Sequence, residues 1–102
     1  MPRGAGAGSS PTCRIYETQQ FLRDISQQGQ ARQAQLETKL RMYVYPLLLD
    51  DPHIGPNVKR LKNWDPPTWR YRVGAWRFFY EIDEEKRIVF MIACKHRKAA
   101  YR

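Results

Sequence analysis

The stretch WRYRVGAWRFFYEI, residues 69–82, reads as two β-arms joined at Gly74-Ala75. Successive side chains of a strand point to opposite faces. Trp69, Tyr71 and Val73 therefore share one face of the first arm, and Thr68, Arg70 and Arg72 the other. In the second arm Trp76, Phe78, Tyr80 and Ile82 stand together, opposite Arg77, Phe79 and Glu81. Such a hairpin buries its apolar side and gathers Arg70, Arg72 and Arg77 on the uncovered side. Arginines on paired strands repel, a cost that an anionic partner would relieve. Phe79 among them offers a plane on which a base could stack. The competing reading is a plain surface strand that happens to carry arginines. Against it, the nearby counter-charges are only Glu81 and Asp65.

Working outward, Asp83–Lys86 is a polar turn and Arg87–Lys95 a third consecutive strand, apolar for most of its length and so expected to be central. Its even positions Ile88, Phe90, Ile92 and Cys94 are expected in the core, while the odd ones lead through Lys95 to Arg97 on the basic face. Upstream, DDPHIGPNVKRLKNWDPP (residues 50–67) has four prolines and a glycine and predicts a loop, with a small amphipathic island at Val58–Lys62. Before it, Thr18 can cap a helix carrying Phe21, Leu22 and Ile25, which Gln28-Gly29 interrupts. A second helix is predicted over 30–49 from the stripe Ala34, Leu36, Leu40, Val44 and Leu47, with Pro46 ending or bending it near Tyr45. Thr12–Glu17 predicts a short edge strand, with Cys13 and Ile15 on one side and Arg14 and Tyr16 on the other. Residues 1–12, rich in Gly, Ala, Ser and Pro, predict a disordered leader, leaving 13–102 as a single domain.

The 102 residues carry a net charge of +8, and the excess is uneven: residues 51–102 hold 12 basic and 6 acidic side chains, against 6 and 4 in residues 1–50. The basic surplus thus travels with the strand-forming half and points to a polyanionic partner. With 42% hydrophobic and 13% aromatic residues a core is expected rather than wholesale disorder. No apolar run approaches the ~18 residues of a spanning helix. The start of the chain has no apolar signal region. Two cysteines, Cys13 and Cys94, make neither a disulfide framework nor a four-ligand zinc site. No glycine-rich phosphate loop or Ser-His-Asp series is visible. The expectation is a reduced, cytoplasmic protein without cofactor, metal or membrane.

Residues 69–82, followed by RIVFMIAC (Arg87–Cys94) and HRKAAY (His96–Tyr101), resemble the RelE/ParE toxin superfamily. VKRLK (Val58–Lys62) resembles that family's lead-in to the hairpin, so the specific resemblance covers residues 51–102. It implies an α+β fold: an N-terminal strand, a two-helix hairpin and a mostly antiparallel sheet of about four strands. It also implies the toxin of a type II toxin–antitoxin pair, with a RelB-like or other small acidic antitoxin as partner. The RelE branch cleaves messenger RNA in the ribosomal decoding site without metal, by attack of a 2′-OH on the adjacent phosphate. The ParE branch poisons DNA gyrase and usually lacks the catalytic set. The set is matched here, which favours RelE over ParE and over a non-catalytic RNA-binding module.

By this resemblance Arg70 and Arg72 fill the two basic positions of the first arm, often lysine in relatives. Arg77 matches the phosphate clamp after the Gly-aromatic turn, Arg97 the arginine near the leaving group, and Tyr101 the terminal tyrosine that orients or stacks the nucleotide. Lys59, Arg60, Lys62, Phe79, Lys95 and Lys98 complete the candidate RNA-binding set. The arginines depart from the pattern, because a guanidinium stabilises charge but does not serve as a base. His96 is of the residue type suited to proton transfer, yet its parity points toward the apolar side, so catalytic and structural readings stand together. His53, among loop breakers, is expected to be merely exposed.

Overall fold

The computed structural model describes residues 12–100, so the expected leader lies outside the described residues except for Thr12. In chain order the elements are β1 (Arg14–Glu17), α1 (Gln19–Ser26), α2 (Gln30–Lys39), a π-helical segment (Leu40–Val44), α3 (Tyr45–Asp50), β2 (Val58–Arg60), β3 (Trp69–Val73), β4 (Trp76–Asp83), β5 (Ile88–His96) and α4 (Arg97–Ala100). The strands form one five-stranded sheet in the order β1-β5-β4-β3-β2. β1 runs parallel to β5, and every other pairing is antiparallel. The helices cover one face, and the core lies between.

The turn between β3 and β4 is closed by Val73 opposite Trp76. Gly74 takes φ +57° there, a conformation that costs an L side chain energy and glycine none. At the other end, Thr18 caps α1: its Oγ1 accepts from the Phe21 amide at 3.3 Å and donates to the Met91 carbonyl at 2.7 Å. One hydroxyl therefore starts the helix and ties it to β5. Phe21, Ile25, Leu36, Leu40, Val44 and Leu48 are buried on the helical side, against Tyr71, Trp76, Phe78, Tyr80, Val89 and Met91 of the sheet. Past the end of β1, the Cys94 amide on β5 donates instead to Asp24 Oδ2 of α1 at 2.9 Å. The Tyr80 hydroxyl, wholly buried, donates to the Pro52 carbonyl at 2.7 Å and anchors the long loop beneath the sheet.

The expected α+β fold with a mostly antiparallel sheet is observed, and three details of it differ. The sheet has five strands, because the Val58–Lys62 island supplies β2; three residues are too few to signal a strand without β3 beside them. Of the two outcomes expected at Pro46, ending the helix does not occur, since it runs on to Asp50, but the regular α-helix is interrupted just before Tyr45. The π-helical segment before it widens the backbone, the Tyr45 amide bonding to the Leu40 carbonyl five residues back. Room is thereby made for a ring that an α-helix interior would exclude. Third, the core parity of β5 switches midway. Phe79 faces Ala93 but Tyr80 faces Met91, so Ile92 is an extra residue on β5. Val89 and Met91 are fully buried in the core in place of Ile88, Phe90 and Ile92, and only beyond the bulge does the expected parity, with Cys94, return. Phe90 turns to the other face and meets Tyr16 edge-on at 5.6 Å.

Candidate nucleic-acid interface

The face away from the helices carries its charge in cross-strand rows. Lys59, Arg70, Phe79 and Ala93 lie opposite one another across β2, β3, β4 and β5. In the next row Arg72, Arg77 and Lys95 lie in direct register across β3, β4 and β5. Arg72 and Lys95 are exposed and Arg70 is half-buried. Arg77, expected at the surface, is only 4% exposed. It sits on the central strand, with Arg72 and Lys95 in register on either side.

Phe79 is also corrected. At 9% exposure it presents no free ring, because Trp64 lies over it with centroids 6.2 Å apart and planes 13° from parallel. Trp64 comes from the β2–β3 connection, where Asn63 takes φ +63°, and is itself 52% exposed. Phe79 is not part of the core cluster on the helical side. Of the two rings stacked beside the basic rows, the Trp64 indole and not the Phe79 phenyl is thus the exposed one.

The end of the Arg72–Arg77–Lys95 row is closed by the start of α4. The Arg97 amide donates to the Ala75 carbonyl at 2.6 Å, which brings this arginine beside the β3–β4 turn. Residues 17–101 match the family described as the ParE toxin of type II toxin–antitoxin systems, parDE. The chain belongs to this toxin family, within the RelE/ParE superfamily. Among solved structures, a chain of the RelBE2 toxin–antitoxin complex of Mycobacterium tuberculosis matches with TM-score 0.65 and 23% identity, covering 85% of this chain and 99% of that one. A chain of the archaeal RelE–RelB complex of Pyrococcus horikoshii matches at TM-score 0.60 and 19% identity, over 84% and 96%. The isolated Escherichia coli RelE toxin gives 0.59 and 22%, over 82% and 83%. These likenesses are of fold. No curated protein matches the chain by sequence.

In this toxin the remaining site candidates separate. Arg60 pairs with Trp69, so it stands on the helical side of the sheet, away from Lys59 and Arg70. Lys62 and Lys98 are exposed, in the β2–β3 connection and in α4. Tyr101 lies outside the described residues. His96 pairs with Trp76, on the face opposite Arg77, and packs edge-on against that indole at 5.1 Å. Its Nδ1 accepts from the Lys98 amide at 3.3 Å, and Arg32 lies over the other part of the cluster, 5.9 Å from the Trp76 ring. The sheet thus separates His96 from the basic row.

His53 is not merely exposed. Its Nδ1 bonds Asp51 Oδ1 and its Nε2 bonds Glu84 Oε2, each at 2.9 Å, and its ring meets Trp69 edge-on at 5.3 Å. Hydrogen bonding to Glu84, aided by Asp51, raises its pKa above the ordinary histidine value against the opposing effect of desolvation. The Asp51 carboxyl is held below its usual range by the His53 amide and ring. This triad straps the long loop to the β4–β5 turn. Nothing near His53 in the sequence announces it, since Glu84 is 31 residues away. Burial, with Asp24 adding to it, pushes the Cys94 thiol up to about 12, which makes it a packing residue rather than a nucleophile. Among the described residues no group of three or more His, Cys, Asp or Glu is placed to hold a metal, and no helix is long and apolar enough to cross a membrane.

Proposed function

We propose that this toxin is a RelE-type endoribonuclease that cuts messenger RNA on the ribosome, in the cytoplasm, and is neutralised by a small acidic antitoxin. The observation that carries the reading is the row Arg72–Arg77–Lys95, with Arg70 and Lys59 in the row beside it. Three cationic side chains in register concentrate positive potential at one place on the sheet, which a polyanion answers. The row's arrangement suits phosphate: guanidinium groups present planar forks of donors matched to phosphate oxygens.

Attack of a ribose 2′-OH on the adjacent phosphate builds negative charge on the phosphorane oxygens. Donors fixed in place before that charge develops stabilise it most. Arg77, held on the central strand, fills this role, with Arg72 beside it. Arg97, next to the turn, reaches the same end of the face. Lys95 is the member of the row whose residue type can exchange a proton: its ammonium would protonate the 5′-oxygen as the P–O5′ bond breaks, while the proton of the attacking 2′-OH passes to solvent. His96, on the other side of the sheet, takes no part. An acidic antitoxin would cover the same face, competing with RNA for the same cations.

A second reading, a ParE-like inhibitor of DNA gyrase, is favoured by the description of the matching family. One experiment separates the two. Purified toxin is added in parallel to ribosomes programmed with messenger RNA and to gyrase with relaxed plasmid. Cleavage in the decoding site with supercoiling intact is the expected result. Intact message with trapped gyrase cleavage complexes would overturn the endoribonuclease reading.

A further inference from the structure

We propose that Trp64, stacked flat on Phe79, is the platform on which one unpaired base of a single-stranded RNA stacks while its phosphates follow the neighbouring cationic rows. The inference rests on the RNA reading above and adds the residue that meets the base. Three observations carry it. The indole is 52% exposed, and one of its two faces is already taken by Phe79 at an interplanar angle of 13°. A half-exposed tryptophan is thus held parallel to a buried ring instead of tumbling in solvent. Less side-chain freedom is then lost when a ligand stacks on it.

The platform is also placed within charge. Phe79, beneath it, shares its cross-strand row with Arg70 and Lys59, and the next row is Arg72–Arg77–Lys95. Acidic side chains near it are Asp65, the next residue in the chain, and Glu81 on the same face of β4. Cations therefore outnumber anions around an open aromatic plane. A ligand that answers both features is a flexible polyanion carrying flat rings, which describes a single-stranded nucleic acid. An acidic peptide would satisfy the charges but has no need of an aromatic plane.

The test uses the full chain and two fluorescent probes of equal length and charge: a short oligouridylate and an abasic ribose-phosphate oligomer. Binding is read by anisotropy at low salt for wild type, Trp64→Ala and Trp64→Phe, with circular dichroism to verify folding. Wild type is expected to prefer the oligouridylate. Trp64→Ala should weaken that complex about tenfold, within the range for one stacked base, and change the abasic complex by under about twofold. Trp64→Phe, which still covers Phe79, should recover most of the loss. Photocrosslinking with 5-bromouridine in the same oligomer should place the adduct on Trp64. Equal losses on both probes would make Trp64 a cover for Phe79 only, and no loss on either would remove it from the interface; both results overturn the platform and leave the RNA reading standing. Folded wild type that binds neither probe would overturn the RNA reading itself, and the platform with it.

Discussion

On one side of β4, Phe78 and Tyr80 are fully buried; on the other, Arg77 and Phe79 are 4% and 9% exposed. By exposure alone the two faces of this strand look alike. They differ in what does the burying. Phe78 meets Phe21 of α1 with ring centroids 6.3 Å apart, inside a closed apolar layer. Arg77 stands in register between Arg72 and Lys95, and Phe79 is stacked under a half-exposed indole. The first face is closed by elements that belong to the core. The second carries basic residues in register and an indole that is itself half-exposed. Depth of burial marks the core on one face; on the other it coexists with a row of basic residues.

The largest expected effect tests that asymmetry directly. Phe78→Ala should cost about 3–5 kcal/mol, the usual range for deleting a core aromatic. Phe79→Ala should cost distinctly less, because Trp64 and the arginine stems can collapse into the gap. Chemical denaturation of both variants decides it, and equal losses would erase the distinction between the faces.

Next in size is a catalytic loss. Arg77→Met keeps the buried stem and removes the charge, so it should leave the fold intact. If Arg77 holds the scissile phosphate, single-turnover cleavage on programmed ribosomes should fall ~10²–10³-fold, equivalent to ~3–4 kcal/mol of barrier. A folded variant cleaving at the wild-type rate would show that this charge serves something else.

Smaller, and opposite in sign for stability, is the effect of relieving the row. Arg72→Thr keeps strand propensity and removes one of two like-charge neighbours of Arg77. It should stabilise the fold by ~0.2–1 kcal/mol at low salt, a gain that shrinks as screening increases. RNA affinity should fall in the same variant. A variant less stable than wild type would mean that repulsion is not what this row costs.

The smallest expected effect lies away from both faces, at the His53 strap. Its folded pKa is raised, so its contribution is fully present below the unfolded histidine value of about 6.5 and is lost as pH climbs through the folded value. The Asp51 carboxyl, lowered in the fold, contributes above the ordinary carboxylate range and loses this as pH falls through its folded value. Thermal unfolding of wild type against His53→Ala at mildly acidic and mildly alkaline pH should show the larger difference on the acidic side. A difference that grows toward alkaline pH would reverse the assignment of the strap.

What the sequence by itself determined is what depends on local period and chemistry. Alternation across 69–82 sorted Trp76, Phe78 and Tyr80 from Arg77 and Phe79, since side-chain direction in a strand repeats every two residues. Thr18 as a cap and Gly29, at φ +89°, as the break between helices were legible for the same reason: each acts on its immediate neighbours. The family resemblance of residues 51–102 lay in that same local pattern. Tertiary structure alone decided whatever depends on a partner distant in the chain. The bulge at Ile92 exists because β5 must match β4, so the core parity of Val89 and Met91 could not be read from β5 itself. β2 becomes a strand only beside β3, and His53 becomes a strap only when Glu84 arrives. Phe79 is covered by Trp64, a residue that a linear reading places in a loop, and Arg77 is buried where alternation alone expects it exposed. Local preferences select the elements, whereas burial and charge compensation are properties of pairs, and those pairs come together only when the chain closes on itself.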